Sequence, residues 1–448
     1  MQQKLKKIKV EKLTKGTLTR NAELLVLLTL FKITKGYKII GKYIEGLFKR
    51  EKGKRAEKVI YSLLGLYLSG GKNIQDLEIL HKDEGLERIL GGKYFYSPSN
   101  TTEIIQGKLK GNWKIINNLG FKHSTRLLDK QIKKRKIPVI TMDIDATYIK
   151  NKGKDAKANY EGELSIRAMT VSVKETGQMI YGYLDEGNKA PQTGLSETIK
   201  KVFARFEEQE ILSRVKEVLV RSDSAGWLRE LIWTIQEEYG QKFIIKARKD
   251  DYIKQCYEEN KNRKKMWKKF IIKDERGKET EYEAMKVPYV MGSNPKKMVS
   301  FDVYYFRRRI SNKPVFEFGE YDVNWRWFAI ATNGDYEPEE LLMEYNDRGQ
   351  SENIIKEIKW DIALMSFSSG DLKRNNVVFA FILMAQNLLK YFRNMYLPEE
   401  WQTLMVASIR YRLKEAVLVV RKGRYIILKF NREYRHYGLW KRLLRMIT

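Results

Sequence analysis

Two acidic residues close an apolar run in the stretch Val139-Ile140-Thr141-Met142-Asp143-Ile144-Asp145-Ala146-Thr147. The apolar and β-branched residues of this run predict a buried β-strand. Alternate side chains of a strand share one face, so we expect Asp143 and Asp145 to point the same way, roughly 6.5–7 Å apart. Burial of two carboxylates is costly unless a cation or hydrogen bonds compensate for it. The stretch alone therefore leaves open a cation site and a solvated strand end.

The residues that follow this stretch show the pattern of an α/β sheet. Helical spacing of apolar residues predicts helices at residues 195–209 and 227–239. Three consecutive strands are followed by helix, strand, helix and strand, which indicates an antiparallel meander that feeds a partly parallel sheet. This order also occurs in ribonuclease-H-like folds. The predicted strands comprise residues 138–147, 165–173, 179–184, 218–223 and 243–247.

Different patterns lie on either side of this central region. Apolar residues at helical spacing in residues 21–46 and 57–69 predict an all-helical N-terminal region. Residues 251–325 contain short alternating runs, the last of them at 315–318, and predict a mostly β segment. This segment separates the central pattern from the rest of the chain.

The α/β pattern returns after that segment. We predict a strand at residues 327–332 and one long helix from Glu337 onward. A further helix and a hairpin around Lys422-Gly423 are predicted after Pro398.

The charge of the chain is strongly positive and unevenly distributed. Its 86 Lys plus Arg against 56 Asp plus Glu give +30, of which residues 1–140 carry +19 and residues 401–448 carry +10. Residues 141–250 carry no net charge. Such a charge attracts polyanions, with nucleic acid first and an anionic membrane surface second. The alternative is a solubility bias spread over surface helices.

Composition excludes several classes of protein and of site. The single cysteine, Cys256, excludes a disulfide framework and a zinc ribbon, and the three scattered histidines exclude a histidine-rich metal centre. Any metal is therefore expected on carboxylates. The chain has no run of eighteen apolar residues and its basic N-terminus lacks the features of a signal peptide, so we expect a soluble, cytoplasmic protein with no membrane partner.

A second apolar run that ends in an acid is Val218-Leu219-Val220-Arg221-Ser222-Asp223. Ligands gather at the carboxyl ends of strands in α/β sheets, so Asp223 and the first pair of acids could form a metal cradle. The competing interpretation makes Asp223 the N-cap of a helix that starts near Trp227.

A third candidate lies on the predicted late helix. At about 100° per residue, its acid, its phenol and three of its cations fall within roughly 80° of one another. This face could present a metal ligand beside phosphate contacts, or it could be a solvated stripe with an Arg348–Glu352 pair. The residues of this face are Tyr345, Arg348, Glu352, Lys356 and Lys359.

Together these motifs resemble the DDE transposases of bacterial insertion sequences. The features that carry the resemblance are Asp-Ala-Thr at 145–147, Arg-Ser-Asp at 221–223 and the spacing of the late helix. That spacing, Tyr345, Arg348, Glu352 and Lys359, resembles the insertion-sequence-four superfamily in full. Within it, residues 143–147, the Asn188 region and residues 379–392 look most like the thirteen-eighty group.

The resemblance implies a fold and a domain organisation. We expect an α/β protein whose ribonuclease-H-like catalytic core carries a mostly β insertion between the second Asp and the Glu, after an all-helical N-terminal domain. The implied domains are a basic, helical, DNA-end-binding domain at 1–135, the core at 136–250 and 326–397, the insertion at 251–325, and a basic C-terminal region at 398–448.

The resemblance also implies residue roles. Asp145, Asp223 and Glu352 match the catalytic acids, which would bind two Mg²⁺ ions, with Mn²⁺ as a possible substitute. Asp143 would support these acids from behind without binding the metal ions itself. Residues that would contact DNA are Tyr345, Arg348, Lys356 and Lys359.

The implied activity is DNA cleavage at insertion-sequence ends followed by strand transfer into target DNA. The partners would be double-stranded DNA, both terminal inverted repeats and target, and a second copy of the chain in a homodimer on DNA. Two alternatives stay open: a ribonuclease-H-like nuclease without strand transfer, and a catalytically inactive DNA-binding repressor derived from a transposase.

Overall fold

A ten-stranded sheet forms the centre of the protein in the computed structural model, which describes residues 16–48, 54–273, 277–294, 297–309, 325–361 and 370–447. The described residues form thirteen strands, of which β1, β12 and β13 make a separate three-stranded sheet. They are β1 (Thr17–Thr19), β2 (Val139–Lys150), β3 (Lys157–Ala158), β4 (Leu164–Val173), β5 (Gln178–Glu186), β6 (Glu217–Ser222), β7 (Lys242–Lys246), β8 (Lys268–Lys273), β9 (Glu279–Met291), β10 (Val299–Arg309), β11 (Trp325–Thr332), β12 (Val417–Lys422) and β13 (Tyr425–Lys429).

The strands that follow the acidic stretch have the expected arrangement. Strands β5, β4 and β2 form an antiparallel meander, and β6 and β7 then pair in parallel on the other side of β2. Met142 and Ile144 are buried with Ile199 and Phe203 on one face of the sheet. Asp143 points to the opposite face, so the predicted alternation of side chains along β2 is confirmed.

The predicted β segment extends this sheet. Strand β11 pairs antiparallel with β7, and β10, β9 and β8 follow outward, so the full order is β3-β4-β2-β6-β7-β11-β10-β9-β8, with β5 on β4. The segment also contains a ten-residue helix, Asp251–Asn260. The strand predicted at residues 315–318 lies outside the described residues.

Helices cover both faces of the sheet and form the N-terminal region. The helices are α1 (Glu23–Ile33), α2 (Gly36–Leu47), α3 (Lys54–Leu68), α4 (Leu77–His81), α5 (Glu84–Leu90), α6 (Pro98–Ile104), α7 (Trp113–Arg135), α8 (Leu195–Glu208), α9 (Arg229–Trp233), α10 (Asp251–Asn260), α11 (Pro338–Asn346), α12 (Gly349–Asp361), α13 (Leu372–Tyr396), α14 (Val406–Leu413) and α15 (Tyr437–Ile447).

The N-terminal and C-terminal regions share one hydrophobic core. Helix α13 packs on α3, α7 and β5, and its buried side chains join those of α1 to α3. The N-terminal region also contributes β1, which pairs with β12 of the predicted C-terminal hairpin, so it is not purely helical. In the parts of the chain that the structure describes, no helix has both the length and the apolar character to span a bilayer.

The long helix predicted from Glu337 is wrong, because the structure has two helices there. Helix α11 ends at Asn346, Arg348 N–H donates to Tyr345 O, and α12 begins at Gly349. A glycine inside a helix costs about 1 kcal/mol relative to alanine, which favours an interruption at this point. The helical projection that placed Tyr345 and Glu352 on one face therefore does not apply across the break.

Candidate active site

The parallel pairing of β2 with β6 aligns the two acidic strand ends. Asp143 lies opposite Arg221 in the register. Asp145 and Asp223 each follow this pair by two residues, just beyond the end of the parallel pairing between these adjacent strands. Each carboxylate accepts one backbone N–H at 2.9 Å, Asp145 from Ala146 and Asp223 from Ala225.

The hydrogen bond accepted by Asp223 shows which helical segment this residue caps. Its Oδ1 accepts from Ala225 N–H and caps the short 3₁₀ turn Ser224–Gly226, whereas α9 begins only at Arg229. Asp223 is therefore an N-cap, as the competing interpretation held, but of this 3₁₀ turn and not of the α-helix that begins at Arg229. Because this turn directly follows β6, the Asp223 carboxylate stays at the end of that strand.

Electrostatics connect the three acids that the motifs singled out. The pKa of Asp145 is raised to about 6, mainly by burial; the Arg348 charge opposes the rise, and the charges of Asp223 and Glu352 contribute to it. Asp145 thus senses both other carboxylates, although they come from β6 and α12. The structure brings these residues into one neighbourhood.

The three acids do not lie close enough together to form a metal site in this structure. In the described ranges, no group of three or more His, Cys, Asp or Glu side chains lies close enough to hold a metal ion. The side chain of Glu352 is 53% exposed, which fits a carboxylate at the rim. Asp145 and Asp223 therefore follow adjacent strands of the sheet, while Glu352 belongs to a separate element, α12.

Tyr345 lies at the end of α11, and Arg348 lies in the turn before α12. The Arg348 guanidinium carbon is 6.0 Å from the centre of the Tyr345 ring, and its Nη2 is 4.0 Å from Glu352 Oε1. Burial raises the pKa of Tyr345, and the charges of Asp223 and Asp145 act in the same direction. The predicted Arg348–Glu352 contact is present, but Arg348 also senses the acids on both strands.

The two lysines of α12 have different surroundings. Lys359 Nζ donates to Thr147 Oγ1 at 2.8 Å, which fastens α12 to β2, and burial lowers the pKa of this lysine. Lys356 is exposed. Glu357 points away from the acids, since it is buried and pairs with Lys390 at 2.6 Å.

Asp143 is held by an arginine to which the motif analysis gave no role. Arg221 donates two hydrogen bonds of 2.8 Å to the carboxylate of Asp143, and the pair is buried. The same guanidinium contacts Glu344 at the end of α11. The sequence signal for this pair was the charged Arg221 inside the apolar run 218–223, because a buried arginine requires an acidic partner.

A comparison with protein families places this chain. The family model described as "Transposase DDE domain group 1" matches residues 54–448. The chain belongs to this transposase family. A comparison with curated proteins finds no match for this DDE transposase.

A distant likeness is found among solved structures. The DDE transposase superposes on the cryo-EM structure of a piggyBac transposase synaptic complex with hairpin DNA, with a TM-score of 0.43 and 10% sequence identity. The match covers 90% of this chain and 82% of that one. The predicted membership of the DDE transposases is thus confirmed by the family model, while the insertion-sequence-four and thirteen-eighty assignments stay predictions.

Proposed function

We propose that this DDE transposase cuts DNA at the ends of an insertion sequence and transfers the freed strand into target DNA, with Asp145, Asp223 and Glu352 as its catalytic acids. The observation that carries the proposal is the parallel pairing of β2 with β6, which sets side by side the strand ends that lead to Asp145 and Asp223. The charges of Asp223 and Glu352 also contribute to raising the pKa of Asp145. Three carboxylates that repel one another beside two strand ends form a set whose repulsion a cation would relieve.

The topology supports a ribonuclease-H-like core for this chemistry. The strand order β5-β4-β2-β6-β7, with an antiparallel meander followed by two parallel strands, agrees with the order expected from the resemblance. The catalytic acids would then lie on the first and fourth strands of the core and on the helix after its last strand. The strands β8 to β10 would form the insertion between the second and third acids, and β11 would begin the second part of the core.

The residues present suit divalent metal ions. DDE transposases normally use such ions. Asp145, Asp223 and Glu352 offer only carboxylate oxygens, which Mg²⁺ and Mn²⁺ prefer, so we assign two Mg²⁺ ions to these side chains. When bound, such ions activate a water or a 3′-hydroxyl and stabilise the leaving oxygen of the phosphodiester.

The remaining residues of the site bind and orient DNA in this proposal. Arg348 lies within electrostatic reach of the acids and carries the charge needed to hold a phosphate beside them. Tyr345 would donate a hydrogen bond to the DNA backbone, and exposed Lys356 would contact the DNA phosphates just outside the site. Lys359 would reach a phosphate only by releasing Thr147, so its first role is to hold α12 on β2.

The basic ends of the chain would bind the rest of the DNA. The β12–β13 hairpin exposes Arg421, Lys422 and Arg424 around its turn, and the Tyr425 ring beside them is 76% exposed. Exposed cations next to an aromatic ring suit a nucleic-acid backbone and its bases. Two ends must be cut together, so we also propose a homodimer on double-stranded DNA.

The test uses purified protein and a labelled duplex that carries the inverted repeat found beside the gene. We expect Mg²⁺-dependent cleavage at the repeat and joining of the cut end to a target plasmid. Cleavage without joining would favour the nuclease alternative. Binding without cleavage would favour the repressor alternative.

A further inference from the structure

A buried chain of charged side chains lies directly beside the proposed catalytic acids. The Arg221 and Asp143 side chains are 0% and 1% exposed, and they meet through two hydrogen bonds of 2.8 Å, Nε to Oδ1 and Nη2 to Oδ2. The third guanidinium nitrogen, Nη1, donates to Glu344 Oε1 at 2.9 Å and to the Glu344 carbonyl at 2.5 Å. One arginine therefore joins β2, β6 and the end of α11.

Lys174 continues this chain to the break between the helices. It follows β4, and its Nζ lies 3.1 Å from Glu344 Oε1 and 2.9 Å from Asp347 Oδ2. Asp347 lies in the turn between α11 and α12. The ion chain, which we define as Asp143, Arg221, Glu344, Lys174 and Asp347, thus links three strands to that turn.

Two members of the ion chain stand two residues before a proposed catalytic residue on the same stretch of chain. Asp143 precedes Asp145 by two residues, and Arg221 precedes Asp223 by two. Two residues along a strand keep the same face and span roughly 6.5–7 Å. A slip of β2 against β6 by one residue would turn the paired side chains to opposite faces, so the Asp143–Arg221 pair fixes the register in which the acids meet.

The helices are fastened at two points, with Glu352 between them. The ion chain holds the turn before α12, and the Lys359–Thr147 bond holds the last part of α12 on β2. Thr147 follows Asp145 by two residues on the same face of β2. A helix fixed at both ends presents Glu352 at a set position relative to Asp145.

Stability alone does not account for this arrangement. Burying an arginine and a carboxylate costs desolvation energy that their attraction roughly cancels, and apolar residues of similar volume stabilise an interior equally well or better. What the ion pair supplies in addition is a defined geometry, because two parallel hydrogen bonds fix both the distance and the orientation of the two strands.

We propose that Asp143, Arg221, Glu344 and Lys174 are positioning residues that set the spacing of the acids for metal binding. This inference rests on the proposed function of Asp145, Asp223 and Glu352. In it, the ion chain does not touch DNA or metal. It acts by holding β2, β6 and the start of α12 in one arrangement.

The experiment compares two conservative substitutions in the full-length protein. Arg221→Lys keeps the charge and removes the two-pronged contact with Asp143. Arg307→Lys is the matched control, because Arg307 makes an equally short contact with Glu283 (2.8 and 2.6 Å) on β9 and β10, away from the acids. The readouts are Mn²⁺ affinity by calorimetry on the protein bound to end DNA, the Mg²⁺ concentration for half-maximal cleavage, and the affinity for end DNA.

We expect Arg221→Lys to weaken Mn²⁺ binding about 10- to 100-fold and to raise the Mg²⁺ requirement in parallel, as substitutions behind metal ligands do. DNA affinity should not change. Arg307→Lys should leave both metal readouts at the wild-type value. Equal metal affinity in wild type and Arg221→Lys, or equal losses in both variants, would overturn the positioning role.

A second variant keeps the inference testable if Arg221→Lys does not fold. Glu344→Gln removes one anion from a partly exposed position and leaves the Asp143–Arg221 pair intact, and we expect it to weaken Mn²⁺ binding severalfold. Unchanged affinity in this variant would also overturn the role. Failure of the proposed function is distinguishable, because the wild type itself would then bind no Mn²⁺ and cleave no end DNA.

Discussion

Charged side chains are arranged in opposite ways around β2 and β6 and on the β12–β13 hairpin. Around β2 and β6 the buried charged side chains pair with side chains of opposite charge, and residues 141–250 carry no net charge. On the hairpin every charged side chain from Val417 to Phe430 is a cation, and all four are exposed. Buried pairs fix a geometry but attract little from a distance, whereas exposed cations attract phosphates over about 10 Å without fixing a geometry.

This difference between the two regions predicts that substitutions can remove DNA cleavage without removing DNA affinity, and the reverse. Asp145→Asn, Asp223→Asn and Glu352→Gln should each abolish Mg²⁺-dependent end cleavage, because each removes a carboxylate that no neighbour replaces. Affinity for end DNA should stay near the wild-type value, since the exposed cations remain. Cleavage is measured on a labelled end duplex and affinity by a filter or gel-shift titration.

Asp335→Asn is the control for this series. Asp335 is a fully exposed acid near β10, and its loss should leave cleavage unchanged. Retained cleavage in any of the three variants would remove that residue from the catalytic set. Loss of DNA affinity together with cleavage would show that the acids and the cations do not act separately.

The same contrast predicts a difference in stability. Asp143→Ala leaves the Arg221 guanidinium buried without its main partner, and such a change lowers the free energy of unfolding by about 3–5 kcal/mol. Lys422→Ala removes an exposed cation at the hairpin turn and should change it by less than about 0.5 kcal/mol. Urea denaturation followed by circular dichroism compares the two, and a similar loss in both would contradict the comparison.

Much of the sheet was predictable because its strands are apolar, β-branched and close to turns. Residues 165–173 were predicted as a strand and form β4 with a one-residue difference, and the C-terminal hairpin also lies where it was predicted. Asp143, Asp145, Asp223 and Glu352 were candidates because they end apolar runs or stand among cations on a predicted helix face, and the resemblance to DDE transposases selected Asp145, Asp223 and Glu352 from them. These signals are local and can be read from neighbouring residues.

What could not be predicted depends on contacts between distant residues. Arg221 has a role only because the β2–β6 register sets it opposite Asp143, and that register is a property of the folded sheet. The continuation of the sheet from β7 through β11 to β8 was missed for the same reason, since a strand pattern does not name its partner. The break before Gly349 had a signal in the glycine, but helical periodicity on both sides concealed it.

The hairpin should govern the salt dependence of DNA binding. Replacing Arg421, Lys422 and Arg424 by serine should reduce the slope of log affinity against log salt by about 2–3, at roughly 0.9 per lost phosphate contact. Cleavage at saturating DNA should persist, because the ion chain and the acids are intact. Replacement of the ion-paired Lys268, Lys269 and Lys273 on β8 by serine is the matched control, and an equal effect in both would mean that the hairpin has no special part in binding.

A buried group without an ionic partner provides the smallest test of the comparison. His123 on α7 is fully buried, its Nε2 lies 3.1 Å from Thr34 Oγ1, and burial lowers its pKa to about 3, with Arg126 and Lys130 acting in the same direction. Below pH 6.5 the unfolded chain takes up a proton that the folded protein rejects, so stability is complete above that pH. It should fall towards pH 3 by at most about 1.4 kcal/mol per pH unit.

Replacing His123 by glutamine should remove this part of the pH dependence while keeping a polar contact with Thr34. The measurement is the free energy of unfolding in urea at pH 7.5, 6 and 5, for wild type and variant in the same ionic strength. The gap between the two proteins should change in favour of the variant as the pH falls, because only the wild type loses the stability linked to a buried neutral imidazole. If the difference in free energy of unfolding between the two proteins does not change with pH, His123 gains a proton in the folded protein as easily as in the unfolded chain. Burial would then not be enough to keep this imidazole neutral.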